Sequence, residues 1–306
     1  MIIKTMDSKR DEIEELSSLL NEKITPNQGF EIERELKAIR SGVLGEKDAA
    51  YYINFYFGES KNWAVIHDLR IEYEDQVAQM DHILMNRMFE IYILESKNYS
   101  YKITITSEGE FKACAERKYY GVPSPIEQNK RHIHLLERFL KAKEIFPKRM
   151  GIPILPRLKS FILISPKSII TRPPEKGFDA SMVIKADTLR TKIDEEVEKT
   201  YAAAVLALIS KVSSSSTLER VARRLVRYHR PHKTDWRRNF GIPAESPSSY
   251  EKVPVQKNGG LGIKDSSKYF CFKSKKGVSE KVAKFCFQSS LKFGWKTYCF
   301  NCQKSF

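Results

Sequence analysis

The spacing of hydrophobic positions changes several times along the chain, and each change marks an element. Charged and apolar residues alternate at helical spacing over 7–22, with Pro26 as the stop. Residues 30–41 and 46–57 read as two further helices, separated by SGVLGE with Gly42 and Gly45 as punctuation. WAVIHDLRI (63–71) reads as an apolar strand and AQMDHILMNRMFEIYILESKNY (78–99) as a β-hairpin. YKITIT (101–106), followed by a turn at Glu108-Gly109, extends these into an antiparallel meander. Helical spacing returns over 124–142, where Pro125 suits the first helical position and Ile126, Ile133, Leu136 and Leu140 lie near one face. SFILIS (160–165) is a short apolar strand of the buried kind, MVIKA adds another, and 188–210 is a helix. Helix, three or four strands, helix and strand predict an α/β fold with a mostly antiparallel start.

Charged residues interrupt the hairpin. With a loop at Arg87-Met88-Phe89, Met85 faces Ile91, Ile83 faces Ile93, Asp81 faces Glu95 and Gln79 faces Lys97, all on one side. That assignment depends on register, since a slip of one residue moves Asp81 to the other face. Opposed carboxylates repel, and two of them suit a hard divalent cation with oxygen ligands, most simply Mg²⁺ with Mn²⁺ as its substitute. Lys97 is placed to orient or deprotonate a water and to offset charge growing on a phosphoryl group. The alternative is a salt-bridged surface patch. Glu46 shares a helix face with Ala49, Ala50, Ile53 and Phe57, so its carboxylate serves either the helix dipole or the same site.

Charge divides the chain. The net charge is +15, yet residues 1–210 balance at 32 basic against 32 acidic, while residues 211–306 hold 21 against 6. The excess points to a polyanionic partner, nucleic acid first, and to a boundary near 213–216. TLERVARRLVRYHR (217–230) is an amphipathic helix with Leu218, Val221, Ala222, Leu225 and Val226 inward. Its Arg220, Arg223, Arg224 and Arg227 point outward, as phosphate contacts or as a solvated face. Residues 241–262, rich in Pro, Gly and Ser, read as a linker. The longest apolar run, YAAAVLALI, is too short to span a membrane, and the first residues lack the pattern of a secretory signal, so the expected location is cytoplasmic.

Four of the five cysteines, Cys271, Cys286, Cys299 and Cys302, fall near the end of the chain. Cys299-Phe-Asn-Cys302 has the gap that lets two thiolates reach one Zn²⁺, and Cys271-Phe-Lys-Ser274 looks like a matching knuckle with serine in the second position. Cys286 is the candidate to complete a zinc site; a degenerate metal-free finger and unrelated thiols are the alternatives. Tyr269, Phe270, Phe293, Trp295 and Tyr298 are either a stacking platform for nucleic acid or the core of the module.

GEKDAAYYI, VIHDLRI, AQMDHILM, YILESKNY and PIEQNKRHI occur in the order of the nuclease-related domain (NERD) family of the PD-(D/E)XK nuclease superfamily, and residues 30–170 resemble it. The resemblance implies a restriction-endonuclease-like core of helix, antiparallel or mixed sheet, helix and strand, followed by a small basic C-terminal module. It implies Asp81 and Glu95 as metal ligands, Lys97 as the catalytic lysine, Glu46 as the helix-borne acidic residue, and Gln79 and Gln128 as site residues. Met80 stands where the superfamily has proline, and Ser100 where the family has glycine. The last segment is similar to the zinc-ribbon-like tails of some family members. The expected organisation is a helical segment at 1–29, the nuclease-like domain at 30–210, a basic helix and linker at 211–262, and the cysteine module at 263–306. The expected activity is metal-dependent phosphodiester hydrolysis, with DNA preferred over RNA. The rival is a non-catalytic nucleic-acid-binding protein on the same fold.

Overall fold

One helix, α2, runs unbroken from Pro26 to Phe57, where the sequence suggested two. Pro26 opens this helix instead of closing the one before, α1 (Arg10–Leu19). Thr25 caps it through a reciprocal capping box with Gln28. Gly45 lies inside α2 for a packing reason: a Cβ there would stand 2.7 Å from the Cβ of Asn98. The glycine that looked like a break therefore lets the helix approach the segment after Lys97. The computed structural model describes residues 1–99, 101–115, 118–174, 177–209, 212–243, 269–274, 276–288 and 297–304. Ser100, Phe293, Trp295 and nearly all of the expected linker lie outside them.

The chain forms two compact units, Met1–Ala244 and Glu245–Phe306. The first is built on a mixed six-stranded sheet. Its strands are β1 (Ile2–Lys4), β2 (Trp63–Tyr73), β3 (Gln76–Asn86), β4 (Glu90–Lys97), β10 (Arg157–Ile164) and β12 (Val183–Lys185), in that spatial order. β2, β3 and β4 pair antiparallel; β1 joins β2, and β10 joins β4 and β12, in parallel. β5 (Lys102–Ile105), β6 (Phe111–Ala115), β7 (Lys118–Val122) and β11 (Ile169–Thr171) form a second sheet, and β8 (Lys148–Arg149) and β9 (Ile152–Pro153) a minimal hairpin. This is the expected α/β class, with a core of the restriction-endonuclease-like kind.

Helices cover both faces. Ala49, Ile53 and Phe57 of α2 pack with Leu84, Leu94 and Leu163, joined by Leu189 and Ile193 at the start of α4 (Leu189–Ile209). On the other face lie Leu136, Phe139 and Leu140 of α3 (Pro125–Ala142) and Leu218, Val221, Ala222 and Leu225 of α5 (Ser215–Val226). Burying four such side chains is worth several kcal/mol, at about 25 cal/mol per Å² of apolar surface. The basic helix is therefore part of the first unit's core, and the contact boundary falls after Ala244 instead of near 210. The flanks also meet: His229 Nε2 lies 2.7 Å from an Asp7 carboxylate oxygen, and Leu16, Leu19, Ile32 and Leu36 share a cluster with Trp236 and Ile242.

The alternation of β2 and β3 changes phase midway. Ala64 and Ile66, then Leu69 and Ile71, face the same core; on β3 it is Met85 and Ile83, then Met80 and Ala78. The ladder runs His67↔His82, then Leu69↔Met80, without a pair between. At the gap Asp68 has φ 52°, the left-handed region that non-glycine residues rarely enter.

In the second unit, β13 (Tyr269–Phe270) pairs with β14 (Gly277–Val278), followed by α6 (Glu280–Gln288) and a short helix, Phe300–Gln303. Tyr298 is buried in the small cluster of this unit with Cys271, Val278 and Cys286, and Tyr269 packs against it, whereas Phe270 is exposed.

Candidate active site

The hairpin loop is Arg87–Phe89, as the spacing predicts, with Phe89 in the left-handed region to close it. Met85↔Ile91 and Ile83↔Ile93 pair in the expected register, and the ladder continues to His82↔Leu94. It then stops. Asp81 is not a ladder partner of Glu95; its Oδ2 accepts the Ser96 N–H at 2.7 Å. The matching phase change on β3, between Ile83 and Met80, is the physical reason, because it breaks the alternation that would have set the two carboxylates side by side.

Past that point the charged groups gather at the open end of the hairpin. Glu46 from α2, Gln79 and Asp81 from β3, Glu95 and Lys97 from β4, and Gln128 from α3 border one cavity of about 330 Å³. All six residues expected in the site meet there. Glu95 is almost wholly buried, and its Oε1 accepts from Lys97 Nζ and from Gln128 Nε2, each at 2.7 Å. Gln79 turns its amide to Asp68 Oδ1 at 2.9 Å. Asn98 Nδ2 donates to the Ser41 carbonyl at 3.2 Å and ties the end of β4 to α2.

Negative charge in this cavity is poorly compensated. Burial, together with Asp68 and Glu95, pushes the Glu46 carboxyl up to about 7. Burial and the neighbouring Glu95 and Glu46 push Asp81 well above the usual carboxylate range, against the opposing Ser96 N–H and Lys97. Glu95 goes the other way: burial opposes its charge, but His132 and Lys97 hold it below the usual range. The carboxylates do not close into a tight trio: among the described residues, the three cysteines are the one group of three or more whose ligand atoms all lie within 4.8 Å of one another. An oxygen-rich cavity with Glu95 Oε2 buried and lacking a hydrogen-bond partner nevertheless fits a hard divalent cation.

Behind Ser96 lies a buried polar relay absent from the sequence reading. His67 Nε2 is 2.9 Å from Asn54 Oδ1, His67 Nδ1 is 2.7 Å from His82 Nδ1, and His82 Nε2 is 2.9 Å from Ser96 Oγ. With the asparagine oxygen accepting, the donors run one way, from Ser96 through His82 and His67 to Asn54. That direction requires both rings to be neutral. Burial and Lys4 lower His67 to about 4, and burial and His67 lower His82 well below its ordinary value. Asp68 and His132 were also missed. The signals were a carboxylate inside an apolar strand and a histidine one turn after Gln128 on α3.

On α5 the four arginines are exposed and border a groove with Ser216 and Glu219. Three are engaged: Arg220 donates to Thr217 Oγ1 at 3.2 Å, Arg223 pairs with Glu219 at 2.8 Å, and Arg224 donates to the Glu144 and Lys143 carbonyls after α3. In the second unit Cys271, Cys299 and Cys302 form the thiol trio, with Ser274 Oγ 3.5 Å from Cys299 Sγ. Cys286, expected to complete that site, is not in it. Its Sγ faces the Tyr298 backbone N–H at 3.4 Å and Gln303 Nε2 at 3.2 Å. Burial opposes a thiolate at Cys271, but hydrogen bonding to Ser274 and the knuckle backbone brings it to about 6.

Residues 41–165 match the family model of the nuclease-related domain, NERD, so that stretch is a nuclease-related domain. The cysteine trio is consistent with a zinc-ribbon-like tail. No curated protein and no solved structure matches the chain. Among the described residues, no helix is long and apolar enough to cross a membrane.

Proposed function

We propose that the protein is a divalent-metal-dependent nuclease that hydrolyses phosphodiester bonds, with DNA as its substrate. The observation that carries this reading is the meeting of Glu46, Asp81, Glu95 and Lys97 at one cavity, within a nuclease-related domain, where three carboxylates share a single lysine. Asp81, Glu95 and Glu46 would hold Mg²⁺ or Mn²⁺, which when bound supplies Lewis-acid polarisation of the scissile phosphate. Lys97, fixed against Glu95, orients the attacking water and offsets charge gathering on the phosphoryl oxygens. Gln128 holds Glu95 in place, and Gln79 braces the strand through Asp68. The exposed Arg220 and Arg227 are the phosphate contacts on α5, with Arg223 and Arg224 at their flank.

The cysteine trio supplies thiolates for Zn²⁺, with Ser274 beside it, and the module adds affinity for nucleic acid. Thiols gathered in this way suit a reducing compartment, and we place the enzyme in the cytoplasm. The test is cleavage of plasmid and of labelled single- and double-stranded DNA and RNA by wild type and Lys97→Ala, with Mg²⁺ or chelator. Wild type cuts only with the cation, and the variant loses about 10²–10³-fold or more in rate. Equal cleavage by both proteins refutes the assignment; binding without cleavage by wild type favours the non-catalytic rival.

A further inference from the structure

The two oxygens of Glu95 have different surroundings. Oε1 is satisfied by Lys97 and Gln128, while Oε2 is buried with no hydrogen-bond partner. Nδ1 of His132 is buried and without a hydrogen-bond partner too, and it lies 3.6 Å from that oxygen. The separation is too long for a hydrogen bond. Two donor atoms each about 2.1 Å from a single cation stand roughly 3.0 Å apart at a right angle and about 4.2 Å apart when opposed, so a cation would draw this pair together by a few tenths of an ångström. Buried polar atoms left unmatched are unfavourable, and a shared cation would join these two.

The helix carrying His132 is held firmly. Asn129 Nδ2 donates to the Ile93 carbonyl at 2.9 Å and to Ser160 Oγ at 2.8 Å, clamping α3 to the sheet. Leu136, one turn beyond His132, is fully buried in the core. His132 and Gln128 lie one turn apart and both border the cavity. The pair thus addresses Glu95 from the same side, Gln128 at one oxygen and His132 at the other.

We infer that His132 Nδ1 is a ligand of the catalytic cation alongside Glu95 Oε2, and that it biases the site toward Mn²⁺ over Mg²⁺. An all-oxygen set suits Mg²⁺, whereas an imidazole nitrogen favours first-row transition ions. The inference rests on the metal-dependent reading above, and its test separates the two.

Full-length wild type and His132→Gln are titrated with Mn²⁺ and with Mg²⁺ by calorimetry, without substrate. Pulsed electron paramagnetic resonance of bound Mn²⁺ then reads nitrogen coupling. Wild type shows a directly coordinated nitrogen, and labelling the histidines with ¹⁵N changes that coupling, which identifies a histidine ligand without any substitution. The variant loses the coupling and about 10–100-fold in Mn²⁺ affinity, with a smaller loss for Mg²⁺. Bound Mn²⁺ without nitrogen coupling, or coupling retained in His132→Gln, overturns the assignment and leaves the metal site standing. Absence of specific binding of either cation to wild type overturns both. The bland alternative, a protonated His132 ion-paired with Glu95, gives the first of these negative results.

Discussion

The two candidate metal centres are built on opposite plans. At the sheet end, carboxylates from a helix and two strands border a cavity without closing into a trio, and their positions are fixed by a core many side chains deep. In the second unit, three thiols lie within 4.8 Å of one another above a cluster of a few residues, Cys271, Val278, Cys286 and Tyr298. The first site is placed by its scaffold and left open, as catalysis requires. The second gathers its candidate ligands tightly beside a small cluster of described residues, an arrangement of the kind structural zinc modules use.

The largest expected effect comes from stripping the thiols. Zinc chelation, or Cys299→Ser, unfolds the second unit while the sheet keeps its hydrogen bonds. Hydrogen exchange reads the difference: amides of 281–288 lose protection and those of 83–94 keep it. Equal loss in both regions would end the contrast. A smaller effect follows from Gly45→Ala, whose methyl group meets Asn98. Overpacking of this kind costs about 1–3 kcal/mol, read from denaturant midpoints, and the displaced strand end lowers cleavage without touching the thiols.

The smallest effect is a pH dependence. Glu46 sits at about 7 in the folded protein against an ordinary carboxylate value near 4.5, so the native state binds more protons between these limits. Metal-free stability therefore falls as pH rises through that window. Cation affinity rises through the same window, because binding requires the deprotonated form. Melting temperatures with and without Mg²⁺, from pH 5 to 8, should diverge progressively, and Glu46→Gln should flatten the divergence. An unchanged slope in that variant removes Glu46 from the site.

Much of this was legible from residue order. The hairpin loop, its register as far as Ile83↔Ile93, the start of α3 and the inward face of α5 follow from periodicity and turn chemistry. The six polar residues expected at the cavity meet there. Gly45 misled because its reason lies on a distant segment, at Asn98, which no local window contains. His132 and Asp68 were hidden for a similar cause: a helical histidine and a strand carboxylate become informative only once Glu95 and Gln79 are beside them. Cys286 was overcounted because spacing cannot tell a thiol facing a metal from one facing a tyrosine backbone.

The left-handed turn of the backbone at Asp68 works like a frameshift in a periodic signal. On either side of it β2 and β3 spell the same message, apolar residues toward one core, but the two halves are written in opposite parity. Deleting one residue from β2 near this position would restore a continuous beat and simplify the strand. It would also leave the matching change of parity on β3 without its counterpart, so the pairing beyond the deletion would slip by one residue. The irregularity is thus the joint at which a load-carrying sheet changes into a place where strands separate and charge can collect.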